Sequence, residues 1–359
     1  MRQIPVVWSA ASLGHDPGAE VWVGVPMQGS EVAERVEVIK DTLTGAGAPL
    51  LDAVEHDDTV LHAVHDPDFV RHLATIHEAW LAAGFQELAG QDRVVPYVFP
   101  TEALLCGLPL RTPTAIHGRA GRYGYDTMTL IGPGSWPAIR GAVDAALTAV
   151  DLVRGNSDHP AVPVAYALCR PPGHHATPTG YGGSCYLNNA AVAAEALRRT
   201  GTDRVAIVDL DAHHGNGTQA IFYDRPDVYY GSLHIDPGAG WFPHYVGYAQ
   251  ERGRGEGTGT NRNRPLAEGT GDGGWLAVLT EIVDEVTAFG PQALVVSLGV
   301  DAALDDPESP LQVSRDGYHR AGELLGELGV PTVAVQEGGY HLPTLGGLVL
   351  ATLTGLTTP

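Results

Sequence analysis

The segment Asp209-Leu210-Asp211-Ala212-His213-His214-Gly215-Asn216-Gly217 sets two carboxylates and an imidazole at alternate positions. It grows out of Val205–Leu210, an apolar run whose valines and isoleucine mark a buried strand. Residues two apart on a strand point to one side, so Asp209, Asp211 and His213 are expected to face a common crevice. A second apolar run, Ala293–Leu298, ends in Gly299-Val300-Asp301. Asp211, His213 and Asp301 would together offer two oxygens and one nitrogen to a divalent metal. Three protein ligands leave positions for water and substrate, which is a catalytic rather than a structural arrangement. With no thiolate in the set, usage favours one zinc ion, and iron(II) or cobalt is chemically acceptable.

Each piece alone is weak. A DxH at a strand end also reads as a solvated turn, and Asp301 by itself as a helix cap. Two further strand ends change the weight. After Val162–Leu168 comes Arg170-Pro171-Pro172-Gly173-His174-His175, a stiff turn that aims adjacent imidazoles outward. After Thr332–Val335 comes Glu337-Gly338-Gly339-Tyr340, where paired glycines let a phenol approach a reacting centre closely.

Elements must carry these groups to one place. Val228–Leu233 completes the set of Val- and Ile-rich runs, and between the runs lie helical stretches at Asn188–Arg199, Gly274–Phe289, Arg315–Leu328 and Pro343–Leu353. Glu31–Leu43, with Ser30 as N-cap, and Val70–Ala83 read as amphipathic helices. Alternating strands and helices predict an α/β fold with a single open, mainly parallel sheet and helices on both faces. In such a sheet the binding crevice lies beyond the carboxyl ends of the strands. Phe85–Arg122, punctuated by Pro and Gly, and the Gly-rich Asp236–Gly274 break the alternation and read as long functional loops. No linker divides the 359 residues, so one domain over 1–359 is expected, with a loop insertion at about 86–124.

Bulk properties narrow the classes. A net charge of −21 lacks the basic footprint that nucleic-acid binding requires. An acidic surface can attract cationic substrates such as polyamines, and it serves solubility equally well. No apolar run is long enough to span a bilayer, the amino terminus lacks signal-peptide features, and the scattered Cys106, Cys169 and Cys185 form no disulfide framework. The expected setting is cytoplasmic, without a membrane partner.

The motifs RPPGHHA (170–176), YGGSCYLNNA (181–190), VDLDAHHGNGTQ (208–219), SLGVD (297–301) and EGGY (337–340) occur here in that order. In combination they resemble the arginase–deacetylase superfamily, and within it the acetylpolyamine amidohydrolases and class II histone deacetylases. HDPDFV (65–70), the GPGSWPAIRGAVDAAL stretch and PHYVGYAQERGRGEGTGT are similar to the acetylpolyamine branch. The resemblance covers most of residues 1–355 and is thinnest over 86–115.

The resemblance implies an arginase–deacetylase fold and a metal-dependent amidohydrolase that removes acetyl groups from amines. Asp211, His213 and Asp301 would hold zinc, and His175 would move the proton from water to the leaving amine. His174 would stay cationic beside Asp209, Asn216 would orient His175, and Tyr340 would donate to the oxyanion. A potassium ion is implied too, on backbone oxygens of Asp209, Asp211, His213 and Leu233 with Ser232. Gly183, Ser184 and Phe242 would line the substrate tunnel. Two positions depart from the polyamine branch. Ser184 stands where an aromatic wall is usual, and His117 stands where a segment similar to IEGRLG supplies a Glu for the distal ammonium; Glu102 is a substitute carboxylate. The expected substrate is a small acetylated amine with comparatively weak preference for polyamines, and the insertion implies a homodimer. Alternatives are a lysine deacetylase acting on protein tails, which needs an open rim, a non-catalytic binding module, and a di-manganese ureohydrolase. The last lacks ligands for a second metal.

Overall fold

The computed structural model describes residues 4–155 and 160–358. In chain order its strands are β1 (Val6–Trp8), β2 (Glu20–Trp22), β3 (Val25–Met27), β4 (Leu50–Asp52), β5 (Val164–Leu168), β6 (Val205–Asp209), β7 (Val228–Ile235), β8 (Asn261–Leu266), β9 (Ala293–Leu298) and β10 (Thr332–Gln336). Strands β2 and β3 form a separate antiparallel hairpin. The others make one eight-stranded sheet in the order β4-β1-β5-β10-β9-β6-β7-β8, with every pairing parallel. The sheet is therefore wholly parallel, where a mainly parallel one was expected.

The strands read as continuous apolar runs because both faces are covered. Their alternation divides them between two cores. Val205, Ile207, Val295, Val333 and Val335 pack with residues of the helices Pro67–Ala82, Ser135–Arg154 and Asn189–Arg199. Ala206, Val208, Leu294, Val296 and Ala334 face the helices Glu34–Gly45, Asp272–Phe289, Arg315–Gly326 and Leu342–Leu356. Period-two alternation thus splits each strand between two hydrophobic layers.

Topology then assembles the chemistry. The chain leaves β5 and enters β6 on the far side of β10 and β9. The four central strands, in spatial sequence β5-β10-β9-β6, end in the His174–His175, Glu337–Tyr340, Asp301 and Asp209–His213 segments respectively. Residues scattered over half the chain meet at one sheet edge, as expected at a crevice where strand order switches.

Several elements differ from the sequence reading. The expected loop 236–274 contains β8, whose Asn-Arg-Asn-Arg-Pro-Leu has no apolar pattern. It is an edge strand whose arginines are ion-paired, Arg262 with Glu285 and Arg264 with Glu281. Ser135–Arg154 forms a 20-residue helix. Pro137 obscures it in sequence, yet proline in a first helical turn removes no intrahelical bond. Ser30 is no N-cap, because that helix starts at Glu34 and the Ser30 hydroxyl instead donates to Glu308 Oε1 at 2.6 Å. The next long helix starts earlier than expected, at Pro67, with the Asp66 carboxylate accepting from the Asp68 and Phe69 amides.

Trp275 shows how firmly the second core is filled. It is fully buried in the first turn of Asp272–Phe289, with its ring centroid 5.3 Å from that of Tyr318. Trp275→Ala is expected to lower stability by about 3–5 kcal/mol. The loss would be read as a fall in the denaturant midpoint, with the residues at the sheet edge unaffected.

Candidate active site

The turn after β5 is held from below by the turn after β10. Glu337 Oε2 accepts from the Gly173 and His174 amides at 2.6 and 3.1 Å. The His174 carbonyl in turn accepts from the amides of Gly217 and Thr218. The imidazole pair is thereby fixed between two other strand ends. His174 Nδ1 lies 3.1 Å from Asp209 Oδ2, which also accepts from the Tyr230 hydroxyl at 2.9 Å. Burial would lower the His174 pKa, but Asp211 and Asp209 outweigh it and push it up to about 10. His175 Nδ1 lies 2.7 Å from Asn216 Oδ1. An amide oxygen only accepts, so Nδ1 carries the proton and Nε2 is left with its lone pair. Burial, reinforced by His174 and His213, keeps the His175 pKa well below its ordinary value. The two rings are 4.0 Å apart, one cationic and one neutral.

The ligand atoms of Asp211, His213 and Asp301 all lie within 4.8 Å of one another. His213 Nδ1 is 3.0 Å from Asp301 Oδ2 and 3.4 Å from Asp211 Oδ1. The outer oxygens are held by backbone: Gly338 N donates to Asp211 Oδ2 at 2.8 Å, and Ala212 N to Asp301 Oδ1 at 2.7 Å. One oxygen of each carboxylate therefore faces the same ring nitrogen. Burial and the neighbouring Asp211 charge push Asp301 up to about 7. Two desolvated carboxylates side by side require a cation, and this oxygen–nitrogen–oxygen set fits a divalent metal. Gly338 must lack a side chain here, since a Cβ would fall 2.5 Å from Asp301 Oδ2. A neighbouring trio, His174, Cys185 and Glu337, is equally close-set. It suits a metal less well: burial drives the Cys185 thiol pKa well up, and Glu337 is engaged by backbone amides.

A cavity of about 330 Å³ opens over these groups, lined at its base by His175, His213 and Tyr340 and along its sides by Gly183, Ser184 and Phe242. Gly183 has φ +56°, and a Cβ there would meet His175 Cδ2 at 2.4 Å, so only glycine lets this wall approach the imidazole. The Phe242 ring stands edge-on to His175, with centroids 4.7 Å apart. The Tyr340 amide donates to Asp306 Oδ2 at 2.7 Å, and the Arg35 guanidinium lies 4.7 Å from the Tyr340 ring centroid. Burial holds the Tyr340 pKa well above its ordinary value, so the phenol remains a donor.

Not every expected residue arrives there. His117 packs against Phe85 and Tyr97, with ring centroids at 5.7 and 6.3 Å. Glu102 opens an exposed short helix, Glu102–Leu105. Neither is among the cavity's lining residues. The cavity lining includes two other carboxylates, Glu20 on β2 and Glu308 on the segment after Asp301. Burial, then the charges of Glu308 and Asp126, push Glu20 up to about 7. Sequence reasoning missed both because neither lies in a motif; the position of Glu308 shortly after a metal-ligand candidate was the one available signal. On the far side, parallel pairing sets Asp209 opposite Ser232, and the Ile235 amide donates to the Ala212 carbonyl at 2.9 Å. The backbone of 209–213 is thus brought beside Ser232 and Leu233. The Ser232 hydroxyl is 2.7 Å from His234 Nδ1.

Comparison with known proteins identifies the family of the chain. The Histone deacetylase domain family matches residues 29–356. The chain is 41% identical over 304 residues to the acetylpolyamine amidohydrolase of Mycoplana ramosa, covering 83% of each protein. It is 39% identical over 318 residues to the acetylpolyamine amidohydrolase of Burkholderia pseudomallei, covering 88% of this chain and 87% of that one. The crystal structure of acetylpolyamine aminohydrolase from Burkholderia pseudomallei superposes with a TM-score of 0.91 at 37% identity, over 99% of this chain and 98% of the other. The HD domain of HDA15 superposes with a TM-score of 0.78 at 29% identity, over 99% and 91% of the two chains. The chain belongs to the histone deacetylase family and is a metal-dependent amidohydrolase.

Proposed function

We propose that this enzyme hydrolyses the amide of small acetylated amines, acetylpolyamines in particular, to acetate and the free amine, with one zinc ion held by Asp211, His213 and Asp301. The observation that carries the substrate assignment is the pair Glu20 and Glu308 in the lining of the cavity that His175 and Tyr340 also line. Two carboxylates above an amide-cleaving centre provide the charge partner for a distal ammonium, the role that His117 and Glu102 do not reach. Trp22, Trp241 and Phe242 share that cavity and offer apolar surface to a methylene chain. The polyamine preference is accordingly stronger than Ser184 and His117 alone would suggest.

Zinc in this site supplies a Lewis acid and lowers the pKa of attacking water. The chain's own groups do the rest. Neutral His175 takes the water proton at Nε2, its other nitrogen pinned by Asn216, and passes a proton to the leaving amine. His174, held cationic between Asp209 and Asp211, stabilises the negative charge that develops above it. The Tyr340 hydroxyl donates to the carbonyl oxygen as that oxygen becomes anionic. A potassium ion on the 209–213 backbone with Ser232 and Leu233 would stiffen the ligand turn. A homodimer is supported by apolar side chains exposed on the insertion, Leu88, Tyr97, Leu104 and Leu108, and on the hairpin, Trp22 and Val23.

Asp211→Ala, His213→Ala or Asp301→Ala is expected to abolish turnover and lower zinc stoichiometry, since a three-ligand site spares none. A variant with full metal content and near-normal rate overturns the ligand assignment. Tyr340→Phe should lower kcat by roughly 10²–10³ at unchanged metal content, the usual cost of one oxyanion donor.

Charge recognition has its own test in acetylputrescine, acetylspermidine, a neutral N-alkylacetamide and an acetyl-lysine peptide. Glu20→Gln and Glu308→Gln should each raise KM for the charged amines about tenfold, equivalent to about 1.4 kcal/mol, and leave the neutral amide unaffected. Because Glu20 titrates near 7, its negative charge is complete above that pH and is lost below it. The ratio of kcat/KM for charged over neutral substrate should therefore fall as pH drops through about 7. A wild-type preference for the peptide would favour protein lysine deacetylation instead.

A further inference from the structure

Glu31 is fully buried and lies outside the cavity lining. Its Oε1 accepts from two guanidinium groups at once, Arg35 Nη1 at 3.0 Å and Arg170 Nε at 2.7 Å. Burial would raise the Glu31 pKa, but Arg170 and Arg35 outweigh it and hold it low, so the carboxylate is ionised.

The two arginines connect Glu31 to two different strand-end segments. Arg35 donates from Nε to the Gly339 carbonyl and from Nη2 to the Glu337 carbonyl, both at 2.6 Å, and covers the Tyr340 ring. It thereby holds the backbone on both sides of Gly338, whose amide binds Asp211. Arg170 opens the turn that carries His174 and His175. Its Nη1 donates to the Ser12 carbonyl at 2.5 Å, and its Nη2 to the His15 carbonyl at 3.1 Å. One carboxylate oxygen is thus the junction between the segment bearing the phenol and the segment bearing the general base. Both guanidinium groups are almost wholly withdrawn from water, so no solvent replaces the junction if it is lost.

We propose that Glu31 is a positioning residue that, by binding Arg35 and Arg170 to a single oxygen, sets the separation of the Tyr340 hydroxyl and the His175 imidazole across the scissile amide. The inference rests on the amidohydrolase roles given above for Tyr340 and His175. Groups acting on opposite sides of one carbonyl tolerate little displacement, and a shift of about 1 Å can cost about 10² in rate.

The test uses zinc-loaded, full-length enzyme carrying Glu31→Gln or Glu31→Asp, assayed on acetylputrescine. The aspartate variant keeps the charge, but its shorter side chain does not reach both guanidinium groups. Expected is a fall in kcat of about 10- to 100-fold, with KM within about threefold and zinc content unchanged. A residue that only stabilises the fold would lower the melting temperature and leave kcat and KM of the folded enzyme alone. In a Tyr340→Phe background the effect of Glu31→Gln should shrink to a few-fold, because part of what it positions is gone. Unchanged kcat, or a loss of equal size in both backgrounds, overturns the proposal. Should Glu31→Gln fail to fold, Glu31→Asp is put through the same comparisons with the same deciding outcomes. Failure of the catalytic reading is separately visible, as a Tyr340→Phe enzyme with wild-type turnover.

Discussion

Two carboxylates, Asp211 and Asp301, are buried side by side at the ends of adjacent central strands. Like charges out of water repel and lack solvation, so this pair is tolerable only if its surroundings supply positive charge and donors. Much of the neighbouring architecture meets that need. The Gly338 and Ala212 amides take the outer oxygens, His213 sits between the inner ones, and cationic His174 lies 3.7 Å from Asp211. The proposed divalent metal would complete the neutralisation, since the site is electrostatically unfavourable without a cation.

The same economy of charge organises the next layer outward. Asp209 and Asn216 orient the two imidazoles, while the charges of Asp211 and Asp209 raise His174 and burial, with His174 and His213 nearby, lowers His175. Glu337 ties the His174 turn to the Tyr340 turn, while Glu31 does so at one remove through two arginines. Further out, Glu20 and Glu308 share the cavity lining with Trp22 and Trp241. On the proposed function, acidic residues in the cavity lining of a chain of net charge −21 would favour cationic amines both by local pairing and by long-range attraction. Acetate and a polycation, the products of the proposed reaction, would separate in the same field.

Much of this was legible in sequence for a physical reason. A strand buried on both faces must be an unbroken apolar run, and a parallel sheet must deliver its chemistry just after such runs. Asp209, Asp211, His213, Asp301, His174, His175 and Tyr340 could all be found by reading the residues that follow Val- and Ile-rich segments. A mainly parallel sheet with helical layers followed from the same alternation; that every pairing is parallel was added by the structure. What did not follow was structure stabilised by partners distant in the chain. Strand β8 carries no apolar pattern because its arginines are paired with Glu281 and Glu285 of the helix Asp272–Phe289. Ser30 has the chemistry of a helix cap and instead binds Glu308, 278 positions away.

The amino-acid sequence by itself determined the fold class and pointed to the groups proposed for metal binding and proton transfer, because apolar periodicity and strand-end motifs are contiguous in the chain. Only the tertiary structure decided which carboxylates face the substrate cavity. His117 was suggested by a segment similar to the polyamine branch and Glu102 as a substitute carboxylate, yet one packs against Phe85 and Tyr97 and the other sits on an exposed short helix. Glu20, on a surface hairpin, and Glu308, beyond a metal-ligand candidate, have no sequence signature. They converge because the hairpin folds over the carboxyl ends of strands formed much later in the chain. The proposed charge recognition rests on that long-range convergence, which no local pattern encodes.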